Sequence, residues 1–214
     1  NLIGKSIGAI LFFTLRPWPI GISFKFRELT PYLPFGLNFQ ATNLIAGANS
    51  AVTPLVVGSL TGTAAVGFVN WAGGVRSAAL SPFEVVEKVI FPGVARAQTN
   101  WSLLKNLTEK LLRLSALFSF PLIFILLALT PEFVKLVYTE KWLGGLITLQ
   151  LSLVQGVFLL IGTVLVDTLL AIGKSREVRN IWVFWSILQW VLAVPLVIRF
   201  GFNGVVIAGI FVSA

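Results

Sequence analysis

Three ionisable residues, Arg76, Lys5 and Asp167, stand in stretches that are otherwise apolar. A charge at the centre of a membrane-spanning helix costs at least about 2.5–3.5 kcal/mol, so such residues are functional candidates by default. Arg76 lies about thirteen residues into an apolar run over 63–88, near its midpoint. Snorkelling moves a charged head only a short way, so Arg76 is expected to face protein or a water-filled cavity. Its planar fork of donors suits phosphate oxygens and stays charged when buried, which points to an anionic headgroup. The alternative is an internal contact with a carboxylate or carbonyl that ties helices together. Lys5 lies eleven positions before Arg16, about 16 Å along a helix axis, and is a second candidate contact. Asp167 precedes Lys174 by seven residues, about 10 Å. It is a candidate proton or sodium site, or an interfacial carboxylate beside Lys174 and Arg176.

Neutral polar residues form a second set: Gln40, Asn43, Asn49, Asn70 and Gln155. Gln40, Asn43 and Gly47 recur at helical spacing and give one helix a small, polar stripe. Such a stripe packs on another helix, where hydrogen bonds average about 0.6 kcal/mol, or lines a hydrated cavity suited to hydroxyl-rich ligands. Glu84 and Glu87 share a helix face at i, i+3, as an acid–base pair would, but lie beside Lys88, where a solvated helix end explains them. The chain has no Cys and no His. Disulfides, Cys- or His-ligated metal sites, and Cys–His or Ser–His catalytic pairs are excluded. No catalytic residue, metal or cofactor is expected.

The elements that must position these residues follow from composition. The chain is 57% hydrophobic and 11% charged, against about 25% charged in soluble domains, so lipid is its solvent. A span needs about 20 mostly apolar residues. Seven runs qualify, at 1–14, 34–59, 63–88, 112–131, 144–172, 181–199 and 203–214, the first and last truncated. Long continuous runs favour helices over the ten-residue alternation of membrane barrels. The expected fold class is an all-α, polytopic integral membrane protein. Residues 15–33, rich in proline, read as a linker, and Pro54 and Gly58 as a kink. Residues 89–111 read as a Pro–Gly loop followed by a short interfacial helix. The chain opens on Asn1 and stops at Ala214 within an apolar run, as expected of an internal piece of a longer protein.

Charge orients the bundle. The loops at 15–33, 88–113 and 173–180 hold eleven Lys and Arg against three in the opposite loops, so the first set is expected to be cytoplasmic. Membrane insertion thus accounts for most of the net charge of +8. Membrane lipid headgroups are an expected partner; nucleic acid is not.

The segment Pro34–Gln98 resembles the middle of bacterial polysaccharide and O-antigen flippases of the multidrug/oligosaccharidyl-lipid/polysaccharide exporter superfamily. The likeness rests on Phe35-Gly36-Leu37-Asn38, the Leu-Thr-Gly turn at 60–62, Arg76, and Phe91-Pro92 before a basic loop. Glu140-Lys141-Trp142, Leu170-Ala171-Ile172-Gly173-Lys174 and Gly201-Phe202-Asn203-Gly204 match its later turns. The resemblance implies two six-helix lobes around a cavity open alternately to each side. Residues 1–14 would end the first lobe, 15–33 would join the lobes on the cytoplasmic face, and 34–214 would form the second lobe. It further implies an inner-membrane flippase, not an enzyme, carrying a polyprenyl-pyrophosphate-linked oligosaccharide, alongside the polysaccharide assembly machinery. Arg76, Gln40, Asn43, Asn70 and Lys5 are the candidate substrate contacts and Asp167 the candidate ion-coupling residue. The rival readings are a drug/cation antiporter of the same superfamily, a membrane glycosyltransferase or polymerase, and a structural subunit.

Overall fold

The computed structural model describes residues 33–214, with Ser6, Thr14 and Thr30. Lys5, and nearly all of the 1–14 run and the 15–33 linker, lie outside the described residues. The chain divides into two units, Asn1–Pro34 and Phe35–Ala214; the helices beyond Pro34 build the second.

Every element of the described residues is helical, with no strand among them. In chain order these are α1 (Leu33–Ser50), a π turn (Thr53–Val57), α2 (Gly58–Thr61), α3 (Thr63–Arg96), α4 (Trp101–Ala128), α5 (Thr130–Val137), a 3₁₀ turn (Glu140–Gly145), α6 (Leu146–Ala171), α7 (Ser175–Phe200) and α8 (Asn203–Ser213). Helices satisfy their own backbone groups, which hydrocarbon cannot do for them. Among the described residues, four stretches are long and apolar enough to cross a membrane: Leu33–Thr61, Trp101–Ala128, Glu140–Ala171 and Ser175–Phe200. At 34 residues α3 is longer than any single helix among them, yet it carries Arg76 in its middle and Glu84, Glu87, Lys88 and Arg96 towards its end.

Two boundaries differ from the sequence expectation. The helix through 63–88 does not end in a loop at 89; α3 runs on through Pro92 to Arg96. Proline removes one ladder bond and presses on the preceding turn, but here the last turns are held by packing. Val94 and Ala97 bury against Leu104, with Ala171 at the end of α6 and the following Ile172 closing over them. The expected short interfacial helix is likewise not separate. It is the first third of α4, which starts where Asn100 Oδ1 accepts from Leu103 N–H at 3.1 Å, the usual N-cap device. From there Leu104, Leu111, Ser115, Ser119 and Ile123 form one buried stripe to the helix end.

Packing builds the bundle around α3 and α6. Small residues Ala72 and Ala79, with Val75, bring α3 against Ile123 of α4 and Leu149 and Leu153 of α6. Nearer the helix ends, Phe83 meets Leu111, Leu160 and Val164. Val52 and, in the π turn, Val56 and Val57 pack onto Ala65, Ala193, Val197, Val205 and Val206, so α8 closes against α7. Side chains such as Leu117, Phe124, Ile187 and Ile198 face outwards, the apolar sheath that lipid permits and water does not.

The two ends of the bundle differ. Arg179 Nη1 donates to Asn38 Oδ1 at 2.6 Å, and 94–104 packs with 171–172. The basic segments 88–113 and 173–180 therefore gather at one end, beside the start of α1. Gly173, at φ +80°, makes the tight reversal between α6 and α7 there, a conformation other residues resist. At the opposite end Trp71 contacts Trp142 and Tyr138 at ring separations of 5.0 and 5.3 Å, and Phe68 stacks on Phe202 at 5.6 Å.

Candidate functional site

Two side chains, Arg76 and Gln155, link three helices. Arg76 leaves α3 one turn beyond Ala72 and lays its aliphatic stem over Gly156 of α6. A Cβ at Gly156 would stand 3.1 Å from Arg76 Cγ, tighter than real packing tolerates without adjustment, so the bare glycine makes room for the stem. Arg76 Nη1 donates to Gln155 Oε1. The Gln155 amide in turn occupies the space left by Gly209 of α8, where a Cβ would overlap its nitrogen. A backbone gap on one helix thus seats the amide that holds the cation of another.

The electrostatics follow from that partner being neutral. Among the described residues no carboxylate oxygen lies within 4.0 Å of Arg76; the ion pairs there are the exposed Lys88–Glu84 (4.0 Å) and Lys105–Glu109 (3.9 Å). Its charge therefore makes no ion pair among the described residues. Desolvating a cation is unfavourable unless something pairs with it or wets it, and Arg76 borders three cavities. One, of about 510 Å³, extends towards Glu84, Glu87 and Lys88. A second, of about 230 Å³, is walled by Thr53, Asn70, Ser152, Gln155 and Gln189. The third, of about 550 Å³, opens towards Asn43, Asn49, Asp167, Trp182 and Trp185.

The residues singled out from sequence are distributed unevenly over these spaces. Asn43 and Asp167 share the largest cavity with Arg76, and Asn70 lines the smallest. Gln40 is exposed and lines none of the three. Lys5 lies outside the described residues. The polar face of α1 is also rotated from the expected Gln40–Asn43–Gly47 stripe. Phe39, Thr42, Asn43, Ala46, Asn49 and Ser50 of α1 line the cavity, with Val52 and Thr53 just beyond the helix, a spacing of three and four residues that marks one helical face. Asp167 Oδ2 is buried without a hydrogen-bond partner, and among the described residues no Lys or Arg nitrogen comes within 4.0 Å of it. Its expected neighbours Lys174 and Arg176 do not neutralise it.

Sequence reasoning missed Gln189 and Ser152, and did not foresee Gln155 as the partner of Arg76. Gln189 is the only amide in the apolar stretch Trp185–Pro195, and the rule that flags intramembrane polar groups applies to it equally. Ser152 carries no such mark, because hydroxyls in membrane helices so often bond back to their own turn.

Helices sheathed in apolar side chains, with cavities between them that meet at the Arg76 guanidinium, define a multi-pass α-helical membrane protein. Residues 1–146 match the family described as polysaccharide biosynthesis protein, and the chain belongs to that family. It is 28% identical over 180 residues to the lipopolysaccharide biosynthesis protein WzxC of Escherichia coli K12, a match that covers 82% of this chain and 36% of that protein. It is 28% identical over 155 residues to an uncharacterized membrane protein in the cps region of Klebsiella pneumoniae, covering 71% of this chain and 32% of the relative. Against the teichuronic acid biosynthesis protein TuaB of Bacillus subtilis 168 the identity is 23% over 161 residues, covering 75% and 33%. The chain thus spans about a third of the length of these curated relatives. No solved structure matches it.

Proposed function

We propose that this protein is a flippase that carries a polyprenyl-pyrophosphate-linked oligosaccharide across the inner membrane by alternating access, with Arg76 meeting the pyrophosphate. The observation that carries this reading is the neutral Gln155 anchor, which leaves the Arg76 charge free for an incoming anion. A pyrophosphate and many hydroxyls cannot cross hydrocarbon without substitutes for water. Arg76 and the amide-walled chambers beside it offer such substitutes, while the prenyl chain stays in lipid. Relatives named for lipopolysaccharide and teichuronic acid biosynthesis support a surface polysaccharide as the end product. In this reading the protein is a carrier and not an enzyme, and its basic end faces the cytoplasm.

The test is export by the full-length gene in a strain lacking its own exporter. Losing a charged hydrogen bond to the substrate corresponds to about 1.5–3 kcal/mol, so Arg76→Ala is expected to lower export ~10- to 100-fold at normal membrane insertion. Arg76→Lys keeps charge without the fork and is expected to fall between. Full export by both variants overturns the assignment.

A second reading is favoured by Asp167, whose unpartnered Oδ2 borders the same cavity as Trp182 and Trp185. An aromatic, carboxylate-bearing cavity is what a drug/cation antiporter needs. Resistance to organic cations conferred by the full-length gene, and abolished by Asp167→Asn, would support that reading over the first.

A further inference from the structure

The smallest of the three cavities differs from the others in chemistry. Its polar walls come from separate elements: Thr53 from the π turn, Asn70 and Arg76 from α3, Ser152 and Gln155 from α6, and Gln189 from α7. Ser152 is buried to 1% exposure, so this is a built recess and not a stripe on one helix. It contains no carboxylate, and its only charge is Arg76 at the rim. A metal or organic cation would meet repulsion there with no counter-charge. A bare anion would find one cation and otherwise groups as ready to accept as to donate.

Amides and hydroxyls match a ligand that also both donates and accepts, which is the signature of neutral hydroxyl groups. The donor–acceptor inventory has capacity to spare. Gln155 is already committed, its Oε1 to Arg76 and its NH₂ seated against Gly209, so the spare capacity lies with Asn70 and Gln189. Gln189 Nε2 makes only a long contact of 3.4 Å to the Val205 carbonyl, leaving its oxygen. Val69, Val205 and Val206 provide an apolar wall, as the C–H face of a sugar ring requires. At ~30 Å³ of liquid per molecule the chamber of about 230 Å³ holds about eight waters, which one hydroxylated ring can replace.

We propose that this chamber is a subsite for a single sugar ring, the one next to the anion at Arg76. The assignment rests on the flippase reading and deepens it: the protein reads the head of its substrate as an anion at Arg76 plus a neutral polyol beside it, both within residues 35–214. Trp182 and Trp185, on the larger cavity, are not needed for this step.

The test measures affinity of the purified full-length protein for two probes, polyprenyl diphosphate and the same lipid bearing one hexose. Two or three added hydrogen bonds are expected to make wild type bind the glycosylated lipid ~10-fold or more tightly. In Gln189→Leu and in Asn70→Ala that ratio is expected to fall towards one. Asn70 is exposed, so its variant carries the test even where Gln189→Leu folds poorly. Arg76→Ala is expected to weaken both lipids alike. A wild-type ratio near one, or a ratio unchanged in both chamber variants, overturns the sugar subsite while leaving Arg76 in place. Failure of wild type to bind either lipid, or Arg76→Ala binding both as wild type does, overturns the flippase reading and the subsite with it.

Discussion

Arg76 is defined by what does not touch it. An arginine paired with a buried carboxylate would be a helix tie, and removing either partner would be destabilising. With Gln155 as partner, charge and structure can be separated by substitution. Gln155→Glu is expected to keep or raise thermal stability in detergent, because it turns a hydrogen bond into an ion pair, yet to lower export ~10-fold or more by neutralising the guanidinium. Wild-type export by Gln155→Glu would show that the free charge is not used. The sequence alone marks Arg76, since a lone cation in an apolar run is costly wherever it lies. It does not mark Gln155 as the holder, 79 positions away, because an amide serves helix packing and cavity lining equally. Still less does it mark Gly156 and Gly209, whose role is to be absent where the Arg76 stem and the Gln155 amide need room. Glycine is common throughout membrane helices, and only coordinates distinguish these two.

Among the elements, apolar runs located the helices and punctuation misplaced their ends. Pro92-Gly93 reads as a break when only neighbours in sequence are weighed. The helix continues because Val94 and Ala97 find cover on Leu104, Ala171 and Ile172, contacts that no local pattern reports. The start of α4 is the opposite case, a boundary set locally by one side chain. Asn100→Ala is expected to cost about 1 kcal/mol, seen as a lowered unfolding temperature, whereas Asn100→Asp or Asn100→Ser is expected to be near neutral. An alanine variant as stable as wild type would mean that packing of Leu104 alone fixes the boundary. The polar face of α1 was half legible: Asn43 lay on it, but the true register runs through Thr42, Ala46, Asn49 and Thr53.

At the scale of the molecule, basic residues gather at one end and the Trp71–Tyr138–Trp142 cluster at the other. The chain has no Cys, so once any cysteine elsewhere in the full-length protein is replaced, single cysteines report orientation. In intact cells an impermeant thiol reagent is expected to label Glu140→Cys and to reach Asn106→Cys only after permeabilisation. The reverse pattern would invert the topology and place the Glu84–Lys88 end of the site outside.

The neutral hold on Arg76 also has an electrical consequence. A full elementary charge crossing the membrane field exchanges about 2.3 kcal/mol per 100 mV, and an unloaded site that bears an unbalanced positive charge feels whatever fraction of that field falls across it. For a carrier working by alternating access, an inside-negative voltage would bias the vacant site towards the cytoplasm, where cargo waits. In the flippase proposed above, a pyrophosphate seated against the guanidinium would reverse the sign and turn the same voltage to outward delivery.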